Sequence, residues 1–120
     1  MKIKNFRDLE IWKLGKTIVL DVYQVTAKFP QSETFGIASQ IKRSSVSIVS
    51  NIAEGFNRYH NKEYRQLLYI ALGSCAELET QIEISGELGF IRPEEKSDIL
   101  KMIDHESRMI RNLIKKLVDH

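Results

Sequence analysis

Apolar residues recur along this chain at intervals of three and four. Between Leu9 and Phe29 the positions Ile11, Leu14, Ile18, Val22, Val25 and Phe29 keep that spacing, the period of a helix that lays one face on a core and not the alternation of a strand. Pro30 cannot continue the helix, so the first segment ends there. A second stripe of Ile37, Ile41, Ile48 and Ile52 follows, with Ser44 and Ser45 filling the gap in it and Gly55 reading as a C-terminal glycine. Asn61 is a capping residue type with Glu63 in the turn behind it, which opens a third helix that runs to Leu88 ahead of Gly89. Pro93 with Glu94 and Glu95 opens a fourth, because proline suits the first helical position and acids suit the positive end of the helix dipole. Ile99, Ile103, Ile110, Leu113 and Leu117 carry that helix onward.

The pattern predicts helices over 8–29, 34–55, 61–88 and 93–118, with no competing strand signal. Long helices on short connections pack most economically as an antiparallel up-down-up-down four-helix bundle, here an all-α single domain over 1–120. Two of the helices carry more apolar surface than one core needs. The third has a stripe of Tyr64, Leu68, Ala71, Cys75, Leu78, Ile82 and Ser85, and a second of Leu67, Ile70, Ser74, Glu77, Gln81, Ile84 and Leu88, rotated from it by roughly 110°. The first adds Leu9, Trp12, Val19 and Tyr23 away from its main stripe. Helices that are apolar over more than half their circumference usually pack on two sides, so a homo-oligomer is expected.

Composition changes this picture little. A chain of 120 residues with 42% hydrophobic content and two prolines has the makings of an ordered core. Its single cysteine, Cys75, allows neither an internal disulfide nor a cysteine-based zinc cluster within one chain, which fits a reducing cytoplasm. No apolar run approaches the ~18 residues that cross a bilayer, and the lysines of Met1 to Phe6 have no apolar segment behind them. The expectation is a cytoplasmic protein with no membrane partner.

Candidate chemistry is sparse. A di-metal bundle needs Glu-x-x-His on a helix, whereas the residues three before His60 and His105 are Asn57 and Met102. His105, between Asp104 and Glu106, reads as a solvated histidine. Gly73, Ser74 and Cys75 lie inside a long helix without the sharp strand-to-helix turn that exposes a catalytic serine, and Cys75 at a heptad position reads as a small buried side chain. Neither phosphate-cradling glycine pattern occurs. The expectation is therefore no catalytic residue, no metal and no cofactor, and no enzyme activity.

Charge placement changes the picture more than the net value of +2. In such a bundle the start of the first helix, the end of the second, the start of the third and the end of the fourth share a pole. That pole gathers Lys2, Lys4, Arg7, Arg58, Lys62, Arg65, Arg108, Arg111, Lys115 and Lys116 against Asp8, Glu10, Glu54, Glu63 and Asp119. The opposite pole holds Glu83, Glu87, Glu94, Glu95 and Asp98. Bases at the ends of the second and fourth helices complement negative dipole termini, but Lys62 and Arg65 open the third helix, where the dipole favours acids. Arg58, Lys62, Arg65, Arg108, Arg111 and Lys115 are accordingly the candidate phosphate contacts for RNA or DNA.

Three segments, FRDLEIWKLGKTI, KFPQSETFGIASQIKRSSVSIVSNIAEGFNR and YRQLLYIALGSCAELETQIEISGELGF, resemble the bacterial four-helix-bundle proteins described as 23S ribosomal RNA intervening-sequence proteins. The likeness runs from Phe6 to Phe90 and is most specific around Ser47, Asn51, Ile52, Ala53, Glu54, Gly55 and Arg58, then Gly73, Ser74, Glu77 and Glu79. It implies a homopentameric ring of bundles, and a similarity to the accessory protein of diversity-generating retroelements, a basic pentamer that associates with nucleic acid and a reverse transcriptase. This chain departs from those basic relatives, since residues 61–120 hold nine Lys and Arg against eleven Asp and Glu.

Two functions stay open at this point. One is a non-catalytic oligomeric bundle that binds RNA or DNA through its basic pole. The other is a protein-interaction adaptor, for example for a polymerase or reverse transcriptase. The polar residues Arg43, Ser47, Asn51, Glu54, Ser74 and Glu77 read as a structural seam between the second and third helices, with Arg43 pairing Glu77 and Ser47 facing Ile70 to Gly73.

Overall fold

The computed structural model describes residues 3–117. Its helices are α1 (Glu10–Thr26), α2 (Ile37–Phe56), α3 (Asn61–Glu87) and α4 (Pro93–Lys116), with single 3-10 turns at Phe6–Asp8 and Gln31–Glu33 and no strand among the described residues. Each helix packs on the next in sequence, α1 closes the ring onto α4, and neither diagonal pair approaches. The result is the antiparallel four-helix bundle, 49 Å long and 24 by 20 Å across.

The predicted stripes form the core. Ile18, Ile41, Ile48, Ile52, Leu68, Leu78, Ile82, Ile103 and Ile110 are fully buried, each stabilising the fold by about 1.5–3 kcal/mol through area removed from water. The helix ends depart from the sequence reading for local reasons. Thr26 Oγ1 donates back to Val22 O at 2.7 Å, and the chain leaves the helix there instead of at Phe29. Phe29 then turns inward onto Phe90, ring centroids 5.4 Å apart, and fastens the α1–α2 connection to the α3–α4 connection. Residues 31–33 form their own turn, so α2 begins only at Ile37. Asn61 is the first helical residue of α3, and His60 occupies the cap position ahead of it.

Two glycines carry different burdens. Gly89 sits at φ +80, and Phe90 N and Gly89 N donate to Ser85 O (2.9 Å) and Gly86 O (3.1 Å), the paired bonds of a left-handed helix terminus that only glycine adopts without strain. Gly55 does not terminate α2, which runs on to Phe56. A Cβ there would lie 2.9 Å from Tyr64 Cδ1 and 3.3 Å from Tyr64 O, so its missing side chain is what lets the end of α2 touch the start of α3.

Candidate nucleic-acid interface

The four chain segments expected at one pole do meet there. Arg65 Nη1 donates to Leu117 O at 2.7 Å, tying the first turns of α3 to the carbonyl end of α4, and the turn at Phe6–Asp8 packs against α2 as well as α1. Lys62 is exposed in the first turn of α3, and Lys115 and Lys116 are exposed in the last turn of α4. None of these three lysines forms an ion pair among the described residues. Arg58 lies just beyond α2 and bonds Glu54 through Nη2 at 2.8 Å. Lys2 and Asp119 lie outside the described residues.

Two of the candidate contacts do not belong to the pole. Arg108 pairs with Asp104 one turn back on the same helix, and it precedes the end of α4 by eight residues, about 12 Å at the helical rise. Arg111 is exposed on the shaft of α4, close enough to Cys75 in the middle of α3 to act on its thiol electrostatically. The i, i+3 spacing that grouped them with Lys115 is a helix-face relation and says nothing of height along the bundle.

One residue at the pole carries no periodic or charge signal in the sequence. Tyr59 is 91% exposed in the turn between α2 and α3, with its ring edge-on to His60 at 4.8 Å. Below it, Phe56 and Tyr64 stack edge-to-face at 6.2 Å, and burial pushes the Tyr64 phenol up to about 12. The lower pair fixes the turn while Tyr59 stands out from it.

At the opposite pole the bases Lys28, Arg92 and Lys96 are each paired with an acid. Lys28 reaches Glu95 at 3.2 Å, Arg92 reaches Glu95 and Glu94 at 3.4 and 3.8 Å, and Lys96 reaches Glu83 at 3.3 Å. The Lys28 ammonium, with help from Arg92, holds the Glu95 carboxyl below the usual carboxylate range.

Along the α2–α3 seam, Ser47 Oγ and Ser74 Oγ share a 2.8 Å hydrogen bond, and Asn51 Nδ2 donates to Ser47 O and Oγ at 2.8 and 3.1 Å. Ser47 therefore faces Ser74, one residue beyond the expected register, consistent with α2 running past Gly55. The expected Arg43–Glu77 pair is absent. Arg43 Nη2 donates to Ser39 Oγ (3.4 Å), while Glu77 and the buried Gln81 accept from Ser44 Oγ (3.3 and 3.0 Å). Glu54 turns outward to Arg58 and takes no part in the seam.

No three metal-ligating side chains cluster among the described residues, and burial pushes the Cys75 thiol up to about 12, the reverse of what a nucleophile needs. No helix is long and apolar enough to cross a membrane among the described residues. Fold and surface together define a small antiparallel helical bundle with one cationic end.

A family model described as 23S rRNA-intervening sequence protein matches residues 7–112, and the chain belongs to that family. Among solved structures it is similar to a protein of unknown function from the S23 ribosomal protein family of Bacteroides thetaiotaomicron, with 21% identity, a TM-score of 0.82, and coverage of 88% of this chain and 98% of that one. At that identity the likeness speaks for the fold. Curated protein sequences give no match.

Proposed function

We propose that this protein is a non-catalytic, homo-oligomeric helical module that binds RNA or DNA through the pole formed by the α2–α3 turn and the end of α4. The observation that carries this reading is the imbalance between the two ends. At the far pole Lys28, Arg92 and Lys96 are all paired with acids while Glu87 and Asp98 stand exposed, whereas Lys62, Lys115 and Lys116 stand exposed at the near one. Arg58 joins them at little cost, because an exposed ion pair such as its own with Glu54 is worth only about 0–1 kcal/mol. The family description, with its 23S rRNA intervening sequence, makes RNA the first nucleic acid to test.

Fluorescence anisotropy with labelled RNA tests the reading. Binding that weakens steeply with salt, and falls at least tenfold in a K62E/K115E/K116E variant of unchanged helicity, supports it. No binding at low salt, or equal binding by the variant, refutes it.

Oligomerisation rests on a separate observation. The outward face of α3 presents Tyr69, Ile70, Gly73, Ala76, Thr80, Ile84 and Leu88 to solvent. A Cβ at Gly73 would meet nothing within 4 Å, so this bundle gives no reason for a residue that weakens a helix interior by roughly 0.5–1 kcal/mol relative to alanine. A second copy resting on α3 supplies one, in a pentamer as the family resemblance implies. The same face suits the adaptor reading, in which a polymerase or reverse transcriptase binds without salt sensitivity. Light scattering that finds a stable monomer at micromolar concentration removes the oligomer, and Gly73→Leu should lower the oligomer mass without unfolding the chain.

A further inference from the structure

The inward stripe of α4 runs Ile99, Ile103, Glu106, Ile110, Ile114, with a glutamate in the middle of four isoleucines. Glu106 is 0% exposed, and neither carboxyl oxygen has a hydrogen-bond partner. The space it occupies is made by α1: a Cβ on Gly15 would lie 2.8 Å from Glu106 Oε2 and 2.6 Å from Val49 Cγ1. The carboxyl therefore rests against the backbone of α1, beside α2, in the interior of the bundle.

The groups facing it bring no compensating charge. From α1 it meets the Gly15 backbone, and the Val49 methyl of α2 lies against the same glycine. On α3 the titratable neighbour is Cys75, a neutral thiol that feels Glu106, Glu79 and Arg111, the last with the opposite sign. Glu79 and Arg111 are both exposed. A carboxylate so placed has lost its water and gained no cation, and an ionised acid under those conditions is far costlier than a neutral one.

We propose that Glu106 is a proton-binding site inside the bundle: the packed fold holds it as the neutral acid, and loss of its proton loosens the seam between α1 and α4. That seam is the sparsest of the four, and Gly15 contributes no side chain to it. Burial lifts the Glu106 carboxyl from 4.5 to about 8. In the unfolded chain it ionises in the ordinary range, so between those two values the folded chain holds one extra proton. The stability that Glu106 contributes is greatest below the lower value, falls as pH rises through the window, and levels off above the upper one.

Urea unfolding of the full chain and of Glu106→Gln between pH 5 and 9 tests this. Glutamine keeps the shape and removes the ionisation. The wild-type unfolding constant should gain up to about tenfold per pH unit over the variant between pH 5.5 and 7.5, about a hundredfold in all. Parallel pH profiles overturn the proposal. Should the variant not fold, carbon-detected titration of the Glu106 carboxyl in the wild-type protein decides: a midpoint near 8 supports the site, and one near 4.5 overturns it. Amide exchange near Gly15 and Glu106, corrected for intrinsic rate, should accelerate above pH 8. Unchanged protection there overturns the loosening.

Discussion

Ser47 Oγ and Ser74 Oγ lie 2.8 Å apart across the seam where α2 and α3 make the most intimate contact in the bundle. Ser74 is buried and Ser47 half-buried, and Asn51 Nδ2 secures Ser47 from one turn away. Replacing Ser74 with alanine leaves Ser47 one partner short and should cost about 1 kcal/mol. Replacing both serines should cost less than the two single changes summed, because the double variant leaves neither hydroxyl unmatched. Urea denaturation of the double-mutant cycle measures the coupling, and strict additivity would show that the bond carries no net energy.

Gly55 and Gly73 should respond oppositely to alanine. At Gly55 the new methyl meets Tyr64 Cδ1 at 2.9 Å, Leu67 Cβ at 3.2 Å and Tyr64 O at 3.3 Å, three atoms of α3 that include its backbone, so overpacking should cost about 1–3 kcal/mol. At Gly73 the methyl meets open space, and the gain in helix propensity should stabilise the protomer by about 0.5–1 kcal/mol. Thermal denaturation of dilute, dissociated protein separates these signs from any effect on assembly.

The helical stripes were legible because burial imposes a period, and Ser47 and Ser74 because small polar residues at that period mark a close crossing. Glu106 was legible only as a gap. Ile103 and Ile110 stand seven residues apart, so a core position must fall between them, yet its occupant is a carboxylate in a charged run, beside an exposed histidine, and looks like surface. The Arg43–Glu77 pairing failed for another reason: a long exposed arginine has several partners of nearly equal energy, and spacing does not choose among them. Height along the axis follows from the residue count to the helix end, and a grouping by face passes over it: Arg108 and Arg111 stand eight and five residues short of the end of α4.

Cys75 should resist thiol reagents in the folded state. It is buried, and with its thiol raised to about 12 the reactive thiolate is scarce at pH 8. Labelling by a disulfide-exchange reagent at that pH should be slow in native protein and rapid in urea. Labelling at the unfolded rate without denaturant would show that α3 does not hold Cys75 in the core.

Tyr59 should distinguish single-stranded from duplex RNA. Its ring is exposed in the turn between α2 and α3, with Arg58 and Lys62, both proposed phosphate contacts, near it in the chain, and a base stacked on such a ring is worth about 1–3 kcal/mol. Stacking requires an unpaired base, because a duplex hides the faces of its bases. Tyr59→Leu should therefore weaken binding of a single-stranded oligonucleotide by about 5- to 100-fold and leave a duplex of the same sequence nearly unchanged. Tyr59→Trp should retain the preference. The salt dependence of the remaining single-strand binding should not move, since no cation is lost. Equal loss on both RNAs would mean that the substitution disturbs the turn, and no loss on either would mean that the ring touches no base.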